Sequence, residues 1–287
     1  MEKPSALNRR SVLTFGTALF GGLGLPALSQ TPDPFQLPYP FQLKGRFIQS
    51  GYCVGHAAPD AELWVDGVRQ GTTSSEGWFY VGFDRDSPAS CRIELRTTAG
   101  TQATTVTIAP QTYDTQRVDG LPPETVTPQA PETLERIKRD AALKAAAFAS
   151  RDTDDSFKGG FIYPLKSFVV SGRFGNQRIL NGIPKSPHYG FDMAAPTGTP
   201  IYAPQGGLVV LAESDMFYEG GLTFIDHGQG VISMYLHQSR VLVKTGDRLI
   251  QGQLIGLVGD RGRATGPHLC WRLKWGDRHT DPSLMVV

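Results

Sequence analysis

Short apolar runs separated by polar turns fill most of this chain. Between residues 41 and 110 the runs are 46–54, 62–65, 78–83, 91–97 and 104–108. Their alternating texture predicts half-buried strands. Asp66-Gly67 stands between two of them and signals a hairpin. Five short strands at this spacing predict a small β-sandwich of immunoglobulin-like kind over 41–110.

The pattern changes at residue 111. Residues 111–130 are polar and proline-rich and include Leu121-Pro122-Pro123. Charged and then alanine-rich sequence follows, and predicts one helix over about 131–150. Pro131 suits its first position, and Glu132 complements the positive end of its dipole. Residues 111–158 therefore read as a linker carrying a helix. From 159 to 287 glycines recur between the runs 207–212, 222–225, 231–236, 254–258 and 269–275. No stretch there has the period of a long amphipathic helix. The expected fold class is all-β, a small β-sandwich and a C-terminal β-sheet domain joined by the linker.

The first forty residues are read apart from the fold. Arg9-Arg10 precede an apolar stretch over 11–28, and Ala27-Leu28-Ser29 offers small residues for cleavage. Residues 1–29 are expected to be a signal peptide, and the order Asn8-Arg9-Arg10-Ser11 resembles the twin-arginine type. Residues 30–40 read as an extended leader. The protein is thus expected in the periplasm or cell envelope.

Composition narrows the function. The net charge is +1, so there is no electrostatic footprint for nucleic acid. There are three cysteines, Cys53, Cys91 and Cys270. In an oxidising compartment an odd number leaves one to be explained. Cys53 and Cys91 fall on different predicted strands. They are expected to pair as a disulfide, the alternative being two buried thiols.

His188, His227, His237, His268 and His279 all lie in the C-terminal part. His188 and Asp192 are four apart in a glycine- and proline-rich stretch that disfavours a helix. On a strand they would share a face, and imidazole with carboxylate suits zinc. His268 and Cys270 are two apart and share a face in the same way. His237 ends the apolar run 231–236.

In order along the chain come Ser171-Gly172-Arg173-Phe174-Gly175, His188-Tyr189-Gly190-Phe191-Asp192, Ala194-Ala195-Pro196-Thr197-Gly198, Asp226-His227-Gly228, Tyr235-Leu236-His237, Val243-Lys244-Thr245-Gly246-Asp247 and Thr265-Gly266-Pro267-His268-Leu269. From residue 161 to the end, the sequence resembles the lysostaphin/LytM-type zinc metallopeptidases, a family of cell-wall endopeptidases. The resemblance implies a single zinc ion held by His188 and Asp192. It implies catalytic roles for His237 and His268, a structural role for His227, and the peptides of peptidoglycan as substrate. It assigns no role to His56 or His279.

Position 270 departs from the family's His-x-His motif, whose second histidine is the third zinc ligand. Cys270 stands there instead, and a thiolate is a competent ligand. With carboxylate and thiolate both anionic, the dication would be nearly neutralised and would acidify its water less. A slower site is therefore expected. The second reading is a weak or inactive relative that regulates other cell-wall hydrolases by binding them.

Overall fold

The computed structural model describes residues 41–287; the expected signal peptide and leader lie outside the described residues. Within them the protein is mostly β, with two α-helices.

Seven strands come first: β1 Gln42–Arg46, β2 Tyr52–His56, β3 Glu62–Val65, β4 Val68–Thr72, β5 Trp78–Gly82, β6 Ser90–Thr97 and β7 Gly100–Thr107. They form two antiparallel sheets, ordered β1-β2-β5 and β4-β3-β6-β7. The run expected as one strand over 46–54 is broken, because Ser50 takes a left-handed φ of +64° and turns the chain between β1 and β2. The hairpin at Asp66-Gly67 forms as expected. Both residues have positive φ (+52° and +81°), which suits the right-handed twist of β3 and β4.

Alternation along β6 sends Cys91, Ile93 and Leu95 inward, against Leu63 and Val65 of β3 and Cys53 and Phe79 of the other sheet. Each such large apolar side chain contributes roughly 1.5–3 kcal/mol when fully buried. The expected bridge between Cys53 and Cys91 is not formed. Both thiols are free and buried, and Sγ of Cys91 turns instead toward Asp66, 3.6 Å from its Oδ2.

The linker is more structured than its composition suggests. It contributes a strand, β8 Thr115–Val118, a single helical turn, α1 Pro123–Val126, and the expected helix, α2 Pro131–Phe148. Pro123 and Pro131 open the two helices, where a missing N–H costs nothing. β8 lies parallel to β10 Gln177–Leu180. Asn181, in the tight turn after β10, takes both the N–H and the C=O of Leu121.

After β9 Val169–Gly172 and β10 come β11 Ile183–Pro184, β12 Phe191–Ala194, β13 Pro200–Tyr202, β14 Gly207–Met216, β15 Gly220–Asp226, β16 Val231–Val241, β17 Arg248–Leu249, β18 Leu254–Val258, β19 His268–Trp275 and β20 Arg278–Thr280. The main sheet runs β17-β14-β15-β16-β19-β12-β9. β15 is buried throughout, and so are the first eight residues of β16. This follows from cover on both faces of the sheet. Period-two alternation sends Phe224, Ile232, Met234 and Cys270 to the face covered by Ala147 and Phe148 of α2. It sends Ile225, Val231, Tyr235 and Trp271 into the larger core, which also holds the N-terminal strands. On that side Tyr80 packs edge-on to Trp275 and Phe157. The N-terminal strands and the main sheet thus share one hydrophobic core.

Candidate metal centre

The site is built where β12 meets β19. Their antiparallel register sets Asp192 opposite Cys270 and Ala194 opposite His268. On its other edge β19 sets Cys270 opposite Leu236, which places His237 one residue further along β16. Sheet pairing therefore brings Asp192, Cys270, His268 and His237 together. A register irregularity between Asp192 and Met193 lets β12 re-aim Asp192.

One expected detail is corrected. His188 is not on the strand with Asp192; it lies in the loop before β12, and Gly190 separates the two. That glycine has a packing reason. A Cβ there would come within 2.7 Å of Sγ of Cys270 and 3.0 Å of Cε1 of His188. Gly172 on β9 is similar, since its Cβ would come within 2.5 Å of Oδ2 of Asp192.

His188, Asp192 and Cys270 are all buried, and one ligand atom from each lies within 4.8 Å of the others. Nε2 of His188 and Oδ1 of Asp192 stand 2.9 Å apart without hydrogen-bond alignment. Neither atom has a hydrogen-bond partner among the described residues. Buried polar atoms are rarely left so, because the lost hydration costs about 1–3 kcal/mol each. Two unpartnered buried atoms of imidazole and carboxylate beside a thiol are a set of ligand types that fits a metal cation.

Electrostatics set the protonation states. Burial pushes the His188 imidazole down to about 4, so it is neutral at pH 7, as a ligand must be. Burial opposes ionisation of Asp192, but the neighbouring His188 and the Arg178 guanidinium outweigh it and hold the carboxyl well below the usual range. Burial pushes the Cys270 thiol up to about 12, against the pull of Arg272. Without a cation in the site Cys270 is a thiol, and binding a metal releases its proton.

His237 and His268 flank this set with their rings 4.7 Å apart. Nδ1 of His237 lies 2.8 Å from the carbonyl of Arg261, and Nδ1 of His268 lies 2.8 Å from that of Gly266. A carbonyl only accepts, so each Nδ1 carries the proton and each Nε2 is left as an acceptor. Nε2 of His268 is 3.9 Å from Oδ1 of Asp192. Burial and the neighbouring His268 push His237 down to about 3. His237 also has a left-handed φ of +66°, of the kind that costs about 1–3 kcal/mol outside glycine. Its N–H donates to the carbonyl of Glu219 at 2.7 Å, and the Glu219 side chain pairs with Lys144 of α2. The linker helix thus buttresses the turn that holds His237.

His227 stands apart from this group. It is fully buried, with Nδ1 on the carbonyl of Gly206 (2.6 Å) and Nε2 on the hydroxyl of Ser233 (2.7 Å). His279 stacks on Tyr189 and His56 packs on Trp78.

Several site residues escaped the sequence reading. Arg178 donates to Oδ2 of Asp192 at 2.8 Å, and Nε of Arg272 donates to Sγ of Cys270 at 3.3 Å. Arg272 had a signal, since it stands two residues beyond Cys270 on the same strand face. Arg178 and the linker had none. Gln116 and Leu121 of the linker line a groove of about 100 Å³ together with Arg178, Asp192, Arg263 and His268. A larger cleft of about 430 Å³, with Arg69, Arg151 and Trp275 on its walls, contains none of the site residues.

The model of peptidase family M23 matches residues 186–282. The C-terminal region is a peptidase family M23 domain. It is 42% identical over 114 residues to the peptidoglycan DD-endopeptidase ShyA of Vibrio cholerae, covering 39% of this chain and 26% of that protein. It is 35% identical over 126 residues to the DD-carboxypeptidase/endopeptidase Mpg of Neisseria meningitidis, covering 44% and 29%. The chain therefore spans little more than a quarter of the length of these curated relatives. Among solved structures, a putative peptidase M23 from Pseudomonas aeruginosa matches with a TM-score of 0.66 and 29% identity, over 84% of this chain and 95% of that one. A match of that extent takes in strands beyond the M23 domain.

Proposed function

We propose that this protein is an exported, zinc-dependent endopeptidase that hydrolyses peptide cross-links of peptidoglycan, with His188, Asp192 and Cys270 as metal ligands. One observation carries the reading. In a domain of a peptidase family, two orphaned buried polar atoms and a thiol converge beside two imidazoles whose free nitrogens are acceptors. The similarity to peptidoglycan endopeptidases supports the substrate class. It also supports export, together with Arg9-Arg10 and the apolar stretch after them. Among the described residues no helix is long and apolar enough to cross a membrane.

When bound, zinc would supply a Lewis acid that polarises water and the scissile carbonyl. The chain's own residues do the rest. His237 and His268 present Nε2 lone pairs, so in this tautomer each can accept a hydrogen bond from water and neither donates to an oxyanion. Burial disfavours the charged form of His237, which fits it to orient water. Gln116 and Leu121 form part of the wall of the groove beside His268.

The test is metal content of the purified mature protein, followed by digestion of purified peptidoglycan. Zinc near one equivalent and release of cross-linked peptides are expected. Cys270→His should retain zinc and cleave faster, since a neutral third ligand leaves the cation more positive. If Cys270→Ala binds zinc as tightly as the parent, the ligand assignment is wrong. The linker residues in the groove favour a second reading, a regulator of other hydrolases; zinc binding with no cleavage by parent or Cys270→His would select it.

A further inference from the structure

The cysteine at 270 comes with a second charged side chain. β19 alternates faces, so Arg272 follows Cys270 on the same side of the sheet. Nε of Arg272 donates to Sγ at 3.3 Å. The two side chains close around Gly190 together with His188. A Cβ on that glycine would lie 2.7 Å from Sγ, 3.0 Å from Cε1 of His188 and 3.1 Å from Cγ of Arg272. The same arrangement occurs once more in the site. Arg178 donates to Oδ2 of Asp192 at 2.8 Å and leaves Oδ1 facing His188. Asp192 and Cys270 thus each have one guanidinium behind them.

We propose that Arg272 is the positioning residue that makes cysteine workable at 270. This inference rests on Cys270 being a metal ligand. A cysteine has one side-chain torsion to its sulfur, and the N–H···S bond selects the rotamer that faces His188 and Asp192. The positive charge also draws electron density from the sulfur. A carboxylate and a thiolate would otherwise leave a dication almost neutral, and Arg272 offsets part of the charge that cysteine adds relative to histidine. An imidazole at 270 would bring no anionic sulfur, so Arg272 would have nothing to compensate.

The experiment is a double-mutant cycle on the full mature chain. It uses the parent, Arg272→Met, Cys270→His and the double variant, with zinc affinity read by competition against a chromophoric chelator. With cysteine at 270, Arg272→Met should weaken zinc binding about 10–100-fold, the usual effect of losing an outer partner of a ligand. With histidine at 270 the same substitution should change affinity by no more than about twofold, the limit of independent sites. In cobalt-substituted protein the sulfur-to-metal charge-transfer band should move to lower energy in Arg272→Met, because the sulfur becomes more electron-rich. Arg272→Lys, which keeps a charged donor, should recover part of both effects.

Equal losses in the two backgrounds, or a band that does not move, would reduce Arg272 to a packing residue. If Arg272→Met does not fold, Arg272→Lys in the same two backgrounds decides by the same criterion. Failure of the underlying reading looks different. A cobalt-loaded parent with no sulfur band at all would remove Cys270 from the ligands, and this inference with it.

Discussion

Two buried histidines in the M23 domain invite comparison. His188 and His227 are almost equally inaccessible, and burial pushes both imidazoles down to about 4. Around His227 every ring nitrogen is used, and the bonds continue through Ser233 to the hydroxyl of Tyr235. Around His188 the ring nitrogen faces a carboxylate oxygen, and neither has a partner among the described residues. Burial and a depressed pKa are therefore the same at a closed structural corner and at the candidate metal centre. The difference lies in whether the buried polar atoms are satisfied, which is what folding alone would require.

The comparison breaks most sharply under substitution. Asp192→Asn should cost about a hundredfold or more in zinc affinity and in peptidoglycan cleavage, because it removes the proposed anionic ligand and the counter-charge to Arg178. The apo protein should lose stability as well, since Arg178 is left without its counter-charge. Chelator competition checks the first effect and a thermal scan of apo protein the second; unchanged zinc affinity in the folded protein would put Asp192 in the structural class with His227.

His227→Ala should affect stability alone. It removes a packed ring and strands the Gly206 carbonyl and the Ser233 hydroxyl, at about 2–4 kcal/mol in urea unfolding. Zinc affinity of the folded fraction should be unchanged. Loss of metal binding without loss of stability would contradict the division.

Acid treats the two corners alike in the apo protein. The unfolded chain protonates its histidines near their ordinary value of 6.5. The folded chain refuses protons at His188 and His227 until about 4, and at His237 until about 3. The unfolded state then binds more protons, so stability falls as pH drops from about 6.5 toward 4. A shift of one pKa unit corresponds to about 1.4 kcal/mol, so each histidine contributes at most on the order of 3 kcal/mol. Urea unfolding of apo protein across that range should show the decline. Saturating zinc should carry the His188 share on to lower pH, since a metal-bound imidazole takes up no proton, and leave that of His227 unchanged.

Smaller effects are expected at the supports. Gly190→Ala pushes a methyl group toward Sγ and Cε1 and should weaken zinc about tenfold, with cleavage falling in step. Lys144→Met releases Glu219 from α2. It should cost about 1–3 kcal/mol, because Glu219 is buried, and lower cleavage a few-fold by loosening the turn behind His237, with zinc affinity unchanged. A lower zinc affinity in Lys144→Met would mean that α2 supports the ligands themselves.

Much of this was legible in order along the chain. The strand runs, the Asp66-Gly67 hairpin and the helix opened by Pro131 rest on local periodicity and turn chemistry, which a few neighbouring residues decide. The pairing of His268 with Cys270 was legible for the same reason, since residues two apart on a strand share a face. Other features depended on partners distant in the chain. The break between β1 and β2 needs the left-handed Ser50, and the unbridged Cys53 and Cys91 depend on how two sheets approach each other. The strand that the linker adds beside β10 has only polar, proline-rich sequence around it, with no local signal for its partner.

By itself, then, the sequence determined which residue types were present, how they alternated and what chemistry a set of histidines, an aspartate and a cysteine could perform. The tertiary structure decided which of them meet. The β12–β19 register sets Asp192 opposite Cys270, a loop carries His188 to them, and two arginines from separate strands stand behind Asp192 and Cys270. The reason is physical. Alternation is a property of one strand, whereas register, burial and the satisfaction of each polar atom arise only when strands far apart in the chain are placed side by side.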